Sequence, residues 1–144
     1  MRFENQIEIT APIADVWRLT EDIEQWPSFT PTMTSVERLD GGRMRAGSRA
    51  RVKQPGQRPT VWTVTRFDPP ALFEWQTRVM GVTMTATHRL EAVNGGCRNT
   101  LAVELAGLGA GLLGRVIGSA IKKSIATENQ AFKRRAEATD QTAV

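Results

Sequence analysis

The chain has 144 residues and a formal net charge of +4, from 19 Lys and Arg against 15 Asp and Glu. That length suits one ordinary domain with a real core, spanning residues 1–144, and the charge is too small for a dedicated DNA-binding protein. A lone cysteine, Cys97, excludes an internal disulfide, and with a lone histidine, His88, no ordinary Cys/His zinc site can be assembled.

The opening MRFENQIEIT lacks the apolar centre of a signal peptide. No run approaches the roughly 18 apolar residues of a membrane span. The expectation is a soluble, cytoplasmic protein without a transmembrane segment. Residues 3–9 alternate, with Phe3, Asn5, Ile7 and Ile9 on one face and Glu4, Gln6 and Glu8 on the other, as in a half-buried strand. Pro12 suits a first helical turn, and Ile13, Val16 and Trp17 follow at helical spacing. A second short turn is expected over Glu21–Gln25, before Trp26-Pro27 and the loop SFTPT.

From Met33 to Leu105 the sequence reads as strands joined by turns of two to five residues, which means antiparallel hairpins. A two-residue turn at Met80-Gly81 pairs Val79 with Val82, Thr77 with Met84, Trp75 with Ala86 and Phe73 with His88. Across the DPPA turn Phe67 meets Leu72, so Val64 lies opposite Trp75 and Trp62 opposite Thr77; across PGQRP, Val52 then faces Trp62. The inner face so derived holds Val52, Trp62, Val64, Phe73, Trp75, Thr77, Met84, Ala86, His88 and Leu90, and its parity stays consistent through three hairpins. Arg66 falls on this face too, beside a turn where it reaches solvent at the rim.

The remainder, Leu112 to Ala138, reads as one long helix of about 40 Å, with residues 139–144 as a frayed tail. Leu113, Val116, Ile117, Ala120, Ile121, Ser124, Glu128, Ala131 and Phe132 share one broad face. The stretch GAGLLG, Gly109 to Gly114, fits G-x-G-x-x-G. A dinucleotide fingerprint needs a strand–helix–strand unit with an acid after the next strand, and here no strand follows the helix. The motif is a false positive. Gly107, Gly109 and Gly111 instead turn the chain from strand to helix, while Gly114 and Gly118 allow close approach, or a gap, at the edge of the helix stripe.

The order of one strand, two short helices, six strands and a long closing helix resembles the START-like superfamily with the helix-grip fold, in its polyketide cyclase/dehydrase and lipid-transport branch. IEITAPIADVWRLTEDIEQWPSFTP, WTVTRFDPPALFEW, GVTMTATHRLEAVNGG and the glycine-rich turn into the last helix carry the resemblance over nearly the whole chain. It implies an α+β fold in which a curved seven-stranded antiparallel sheet wraps around the C-terminal helix. It also implies a cavity between the two that holds an apolar ligand. Carriers, aromatase/cyclases, receptors and ribosome-directed toxins share this fold, so the fold does not choose among them.

The derived inner face mixes large aromatics with small and polar residues, as ligand pockets do. Candidate contacts are Trp62, Val64, Phe73, Trp75, Thr77, Met84, Ala86 and His88 from the sheet, with Val116, Ile117, Ala120, Ser124 and Glu128 from the helix. His88 is open to three readings: a half-buried histidine bonded to a neighbour, a contact for a ligand carbonyl or phenol, or a general acid/base. Glu128, four residues from Ser124, either reaches water or points inward with a raised pKa. Arg38, Arg43, Arg45, Arg49, Arg51, Lys53 and Arg58 make a basic outer face, either simply solvated or a docking surface for RNA or the ribosome.

Three functions follow: a carrier of a lipid, fatty acyl chain or polyketide-like aromatic; a cyclase/dehydratase in which His88 moves protons; or a ribosome-associated protein using the basic face. A co-purifying ligand favours the first, loss of turnover in His88→Ala the second, and salt-sensitive RNA binding the third. No cofactor and no metal are expected, and the chain is read as a monomer or homodimer.

Overall fold

In the computed structural model the backbone is described for residues 1–142 and the side chains for residues 1–138. The chain begins with β1 (Arg2–Ile9), which leads into α1 (Ile13–Glu21) and a 3-10 turn at Ile23–Ser28. Pro12 stands at the N-cap of α1, Asp15 in its first turn and Arg18 in its last, in accord with the helix dipole. The second turn lies later than the sequence suggests and contains Trp26 and Pro27. The Trp26 indole fixes it by donating to the Leu19 carbonyl at 2.9 Å.

Six strands follow: β2 (Ser35–Arg38), β3 (Arg49–Lys53), β4 (Thr60–Asp68), β5 (Leu72–Val79), β6 (Val82–Val93) and β7 (Gly96–Ala106). They form with β1 one seven-stranded antiparallel sheet in the order β1-β7-β6-β5-β4-β3-β2. The β5–β6 register is the one derived from the Met80-Gly81 turn, from Val79 opposite Val82 to Phe73 opposite His88. Val64 does pair with Trp75, but a bulge between Val64 and Arg66 puts Phe67 opposite Phe73 and Asp68 opposite Leu72. The extra residue reverses the parity beyond it. Arg66 therefore pairs with Glu74 and is exposed on the outer side, while Phe67 turns inward against Trp17 at 5.4 Å. Across β3 and β4, Ala50 rather than Val52 lies opposite Trp62, and Val52 opposite Thr60. That offset of two residues leaves both side chains on the inner face.

The closing helix, α2 (Ala110–Thr142), is longer than expected at both ends. Gly107 and Gly109, at φ 116° and 85°, make the turn, and Gly111 already lies in the first turn of the helix. Residues 139–142, expected as frayed tail, continue the helix; 143 and 144 lie outside the described residues. A Cβ at Gly118 would sit 3.0 Å from the Phe3 ring, so the helix approaches β1 closely there.

Toward its C-terminal half α2 is tied down. The Asn129 amide donates to Asn5 Oδ1 at 2.8 Å and to the Asn99 carbonyl at 3.2 Å, and it accepts from Asn99 Nδ2 at 2.9 Å. The buried apolar residues form two clusters. One joins Trp26, Phe73, Trp75 and Phe132 beneath α1; the other joins Phe3, Val82, Leu101, Leu105 and Ile125. Only partly buried Met84 and Ala86 touch both.

Candidate binding cavity

Where the two clusters fail to meet, a cavity of about 400 Å³ opens between the concave sheet and the first half of α2. Pleating decides which sheet residues reach it, since alternate side chains on neighbouring strands converge on one face. Trp62, Trp75, Thr77, Met84, Ala86 and His88 line it from the sheet, and Ile117, Ala120, Ser124 and Glu128 from the helix. Val64 and Phe73 share the inner face but lie at 2% and 0% exposure, packed into the core beneath α1. Val116 is turned away from the cavity and is 73% exposed, because the stripe facing the sheet runs through Leu113, Ile117 and Ile121.

The deep end is polar and buried. His88 Nε2 lies 3.5 Å from Glu128 Oε1, beyond a good hydrogen bond. The Thr32 hydroxyl donates to Glu128 Oε2 at 3.3 Å. Trp26 covers one face of the imidazole, with ring centroids 5.1 Å apart and planes 29° off parallel, and Phe132 and Phe73 meet its edges. Burial drives the two groups in opposite senses. It pushes the His88 imidazole down to about 3 and the Glu128 carboxyl up to about 7, the Thr32 bond pulling the carboxyl back in part. In mildly acidic solution the pair thus carries one proton, on the carboxyl, beside a neutral imidazole. Nδ1 of His88 has no partner among the described residues.

Two polar wall side chains already have partners. Thr77 Oγ1 donates to the Val61 carbonyl at 2.8 Å, and the Trp62 indole donates to Thr60 Oγ1 at 3.2 Å. Trp75 lies between Trp26 and Trp62, 5.4 Å from each ring. At the other end Met80 lines the opening at 88% exposure, and exposed apolar side chains stand at Leu108 in the turn before α2 and at Leu112 and Val116 in its first turns. The two turns abut, since a Cβ at Gly107 would lie 3.4 Å from the Gly81 carbonyl.

Trp26, which lines the cavity, and Thr32, which bonds the Glu128 carboxyl from behind it, were not legible as site residues. Both sit in segments without strand or helix periodicity, and only the fold carries them over His88 and Glu128. A tryptophan in a short loop-like stretch was the one available signal. On the outer face, Arg49 pairs with Asp40 at 3.1 Å, which holds that carboxyl below its usual range, and Arg51 lies 3.4 Å from Glu37. Among the described residues no three His, Cys, Asp or Glu side chains form a metal-binding group, and no helix is long and apolar enough to cross a membrane.

A family model described as polyketide cyclase/dehydrase and lipid transport matches residues 1–137. The chain belongs to this family. A provisionally named polyketide cyclase of Streptomyces halstedii is 36% identical over 63 residues, a match spanning 42% of this chain and 54% of that protein. The chain thus aligns with about half the length of that curated relative. Solved structures show the same fold at low identity. The ZhuI aromatase/cyclase of Streptomyces sp. R1128 superposes with a TM-score of 0.74 at 17% identity, covering 95% of this chain and 93% of that one. Ara h 8.0201 gives 0.76 at 17%, covering 96% and 98%. A hypothetical protein of Helicobacter pylori gives 0.79 at 11%, covering 94% and 88%. The helix-grip architecture expected of the polyketide cyclase/dehydrase and lipid transport family is the one observed.

Proposed function

We propose that this family member binds a hydrophobic small molecule between the sheet and α2, with its apolar body against Trp62, Trp75, Met84 and Ile117 and a polar end at His88 and Glu128. The observation that carries this reading is an apolar cavity of about 400 Å³ ending on a buried His–Glu pair. A merely imperfect core would not place two ionisable groups at the bottom of a hollow, since each buried unpaired polar group costs about 1–3 kcal/mol. Burying about 250 Å² of apolar ligand surface contributes about 6 kcal/mol before the costs of ordering.

Native mass spectrometry of gently purified protein, followed by organic extraction, tests the reading. The expected result is a stoichiometric adduct that extraction releases. An apo mass, together with unchanged tryptophan fluorescence on adding 1-naphthol, overturns it.

A second reading, cyclase-type catalysis, is favoured by the same pair. Two groups whose environments push their pKa values apart suit a proton donor and a proton acceptor. The fold also holds a chain-like substrate in one orientation, which supplies much of such catalysis. Normal ligand affinity with lost turnover in His88→Ala would distinguish it from simple carriage.

A further inference from the structure

The charge inventory of the cavity narrows what it holds. This deepens the binding reading above and rests on it. Among the described residues the wall carries one carboxyl, Glu128, and neither a lysine nor an arginine. It holds no cation to pair with an anionic head group. A carboxylate or phosphate drawn in would lose its hydration, find no cation, and stand near a carboxyl. A ligand with a positive end meets the opposite situation. Trp26, Trp75 and Trp62 line the wall in sequence, each neighbouring pair 5.4 Å apart, and indole faces attract cations. Behind them wait the Glu128 carboxyl and a neutral imidazole, both able to accept hydrogen bonds from an N–H donor. His88 itself does not compete for the carboxyl as a cation, since its burial favours the uncharged ring.

We infer that the cavity selects ligands bearing a basic amine on an aromatic or alicyclic body, the ammonium group seated on Glu128, and rejects carboxylic acids of the same shape. Proton balance follows directly. An ammonium ion taken from solution displaces the proton that Glu128 holds, forming the N–H···O⁻ contact and releasing one proton to water. Where the carboxyl is already ionised, no proton is released.

Among the described residues, His88, on β6, is the only other titratable side chain on the wall. The 3-10 turn and the loop after it contribute Trp26 and Met33, β5 contributes Trp75 and Thr77, β7 contributes Leu101 and Val103, and α2 contributes Ser124 and Ile125. Thr32 supplies only a hydroxyl to the carboxyl.

Three probes with one ring system test the inference: 1-naphthylmethylamine, 1-naphthalenemethanol and 1-naphthoic acid, followed by quenching of tryptophan fluorescence. At pH 8 the amine is expected to bind at least about tenfold tighter than the alcohol, and the acid weakest of the three. Amine affinity should rise about a hundredfold between pH 5 and pH 8 and then level off, because binding releases a proton only below the Glu128 pKa of about 7. Glu128→Gln should bring the amine-to-alcohol ratio to about one; the pH profile of the unaltered chain reports the same chemistry without a variant. Equal affinity for amine and alcohol, acid binding as tight as amine binding, or an amine preference that survives Glu128→Gln overturns this inference while leaving a binding cavity in place. Failure of all three probes to bind overturns the cavity reading and this one together.

Discussion

Two buried ionisable side chains, His88 and Glu128, set the behaviour of the molecule with pH. Glu128 has its folded pKa raised from 4.5 to about 7, so its contribution to stability is fully present below 4.5 and is lost as pH rises through 7. His88 has its folded pKa lowered from 6.5 to about 3, so its contribution is present above 6.5 and is lost as pH falls toward 3. Between 4.5 and 6.5 the unfolded pair holds one proton, on the imidazole, and the folded pair also holds one, on the carboxyl. The two slopes cancel. Their joint contribution is therefore flat over that window, and single variants should expose each half. Relative to the parent chain, Glu128→Gln should lose melting temperature as pH falls below 6.5, and His88→Gln should lose it as pH rises from 4.5 to 7. Parallel melting curves for all three proteins across pH 4.5–7 would show that the pair does not titrate this way. The inward aim of His88 was legible from strand parity alone, whereas the helix stripe left Glu128 open between reaching water and pointing inward. Their meeting was not legible, because β6 and α2 are brought together by the whole fold rather than by any local pattern.

Among the elements, the hairpins carry the most readable information. A two-residue turn fixes register for a whole strand pair, and the β5–β6 ladder follows from it residue by residue. The β4–β5 ladder shows the limit. A bulge obeys no alternation rule that could be read from TVWTVTRFD, so Arg66, expected on the inner face, lies on the outer one, and Phe67 pairs with Phe73 rather than Leu72. Glycines divide in the same way, since their tolerance depends on what faces them. At Gly96 a Cβ would lie 2.0 Å from the Ile9 carbonyl oxygen, a backbone atom that cannot step aside without opening the β1–β7 edge. Gly96→Ala should cost about 3 kcal/mol. At Gly114 the obstacle is the Met1 sulfur, the movable end of a flexible side chain, 1.9 Å away. Gly114→Ala should therefore gain up to about 1 kcal/mol from helix propensity. Chemical denaturation of both variants checks the contrast, and equal effects of the same sign would contradict it.

At the scale of the whole molecule, stability is distributed unevenly along α2. Residues 125–136 of the helix are well engaged, with Phe132 in the aromatic cluster and Asn129 bonded to both β1 and β7. Its first half lies over the cavity, with Leu113, Ile117 and Ile121 only half-buried and Leu112 and Val116 exposed. Hydrogen exchange should follow this division, with amides of residues 113–121 exchanging faster than those of residues 125–136. Uniform protection along the helix would contradict it. The asparagine link makes α2 a beam fixed at one end. On the proposed binding reading, a guest would be exchanged past the less anchored end while the aromatic cluster stays closed. On that reading, residues near the fixed end would govern how long the protein lasts, and residues near the other end how quickly a guest comes and goes.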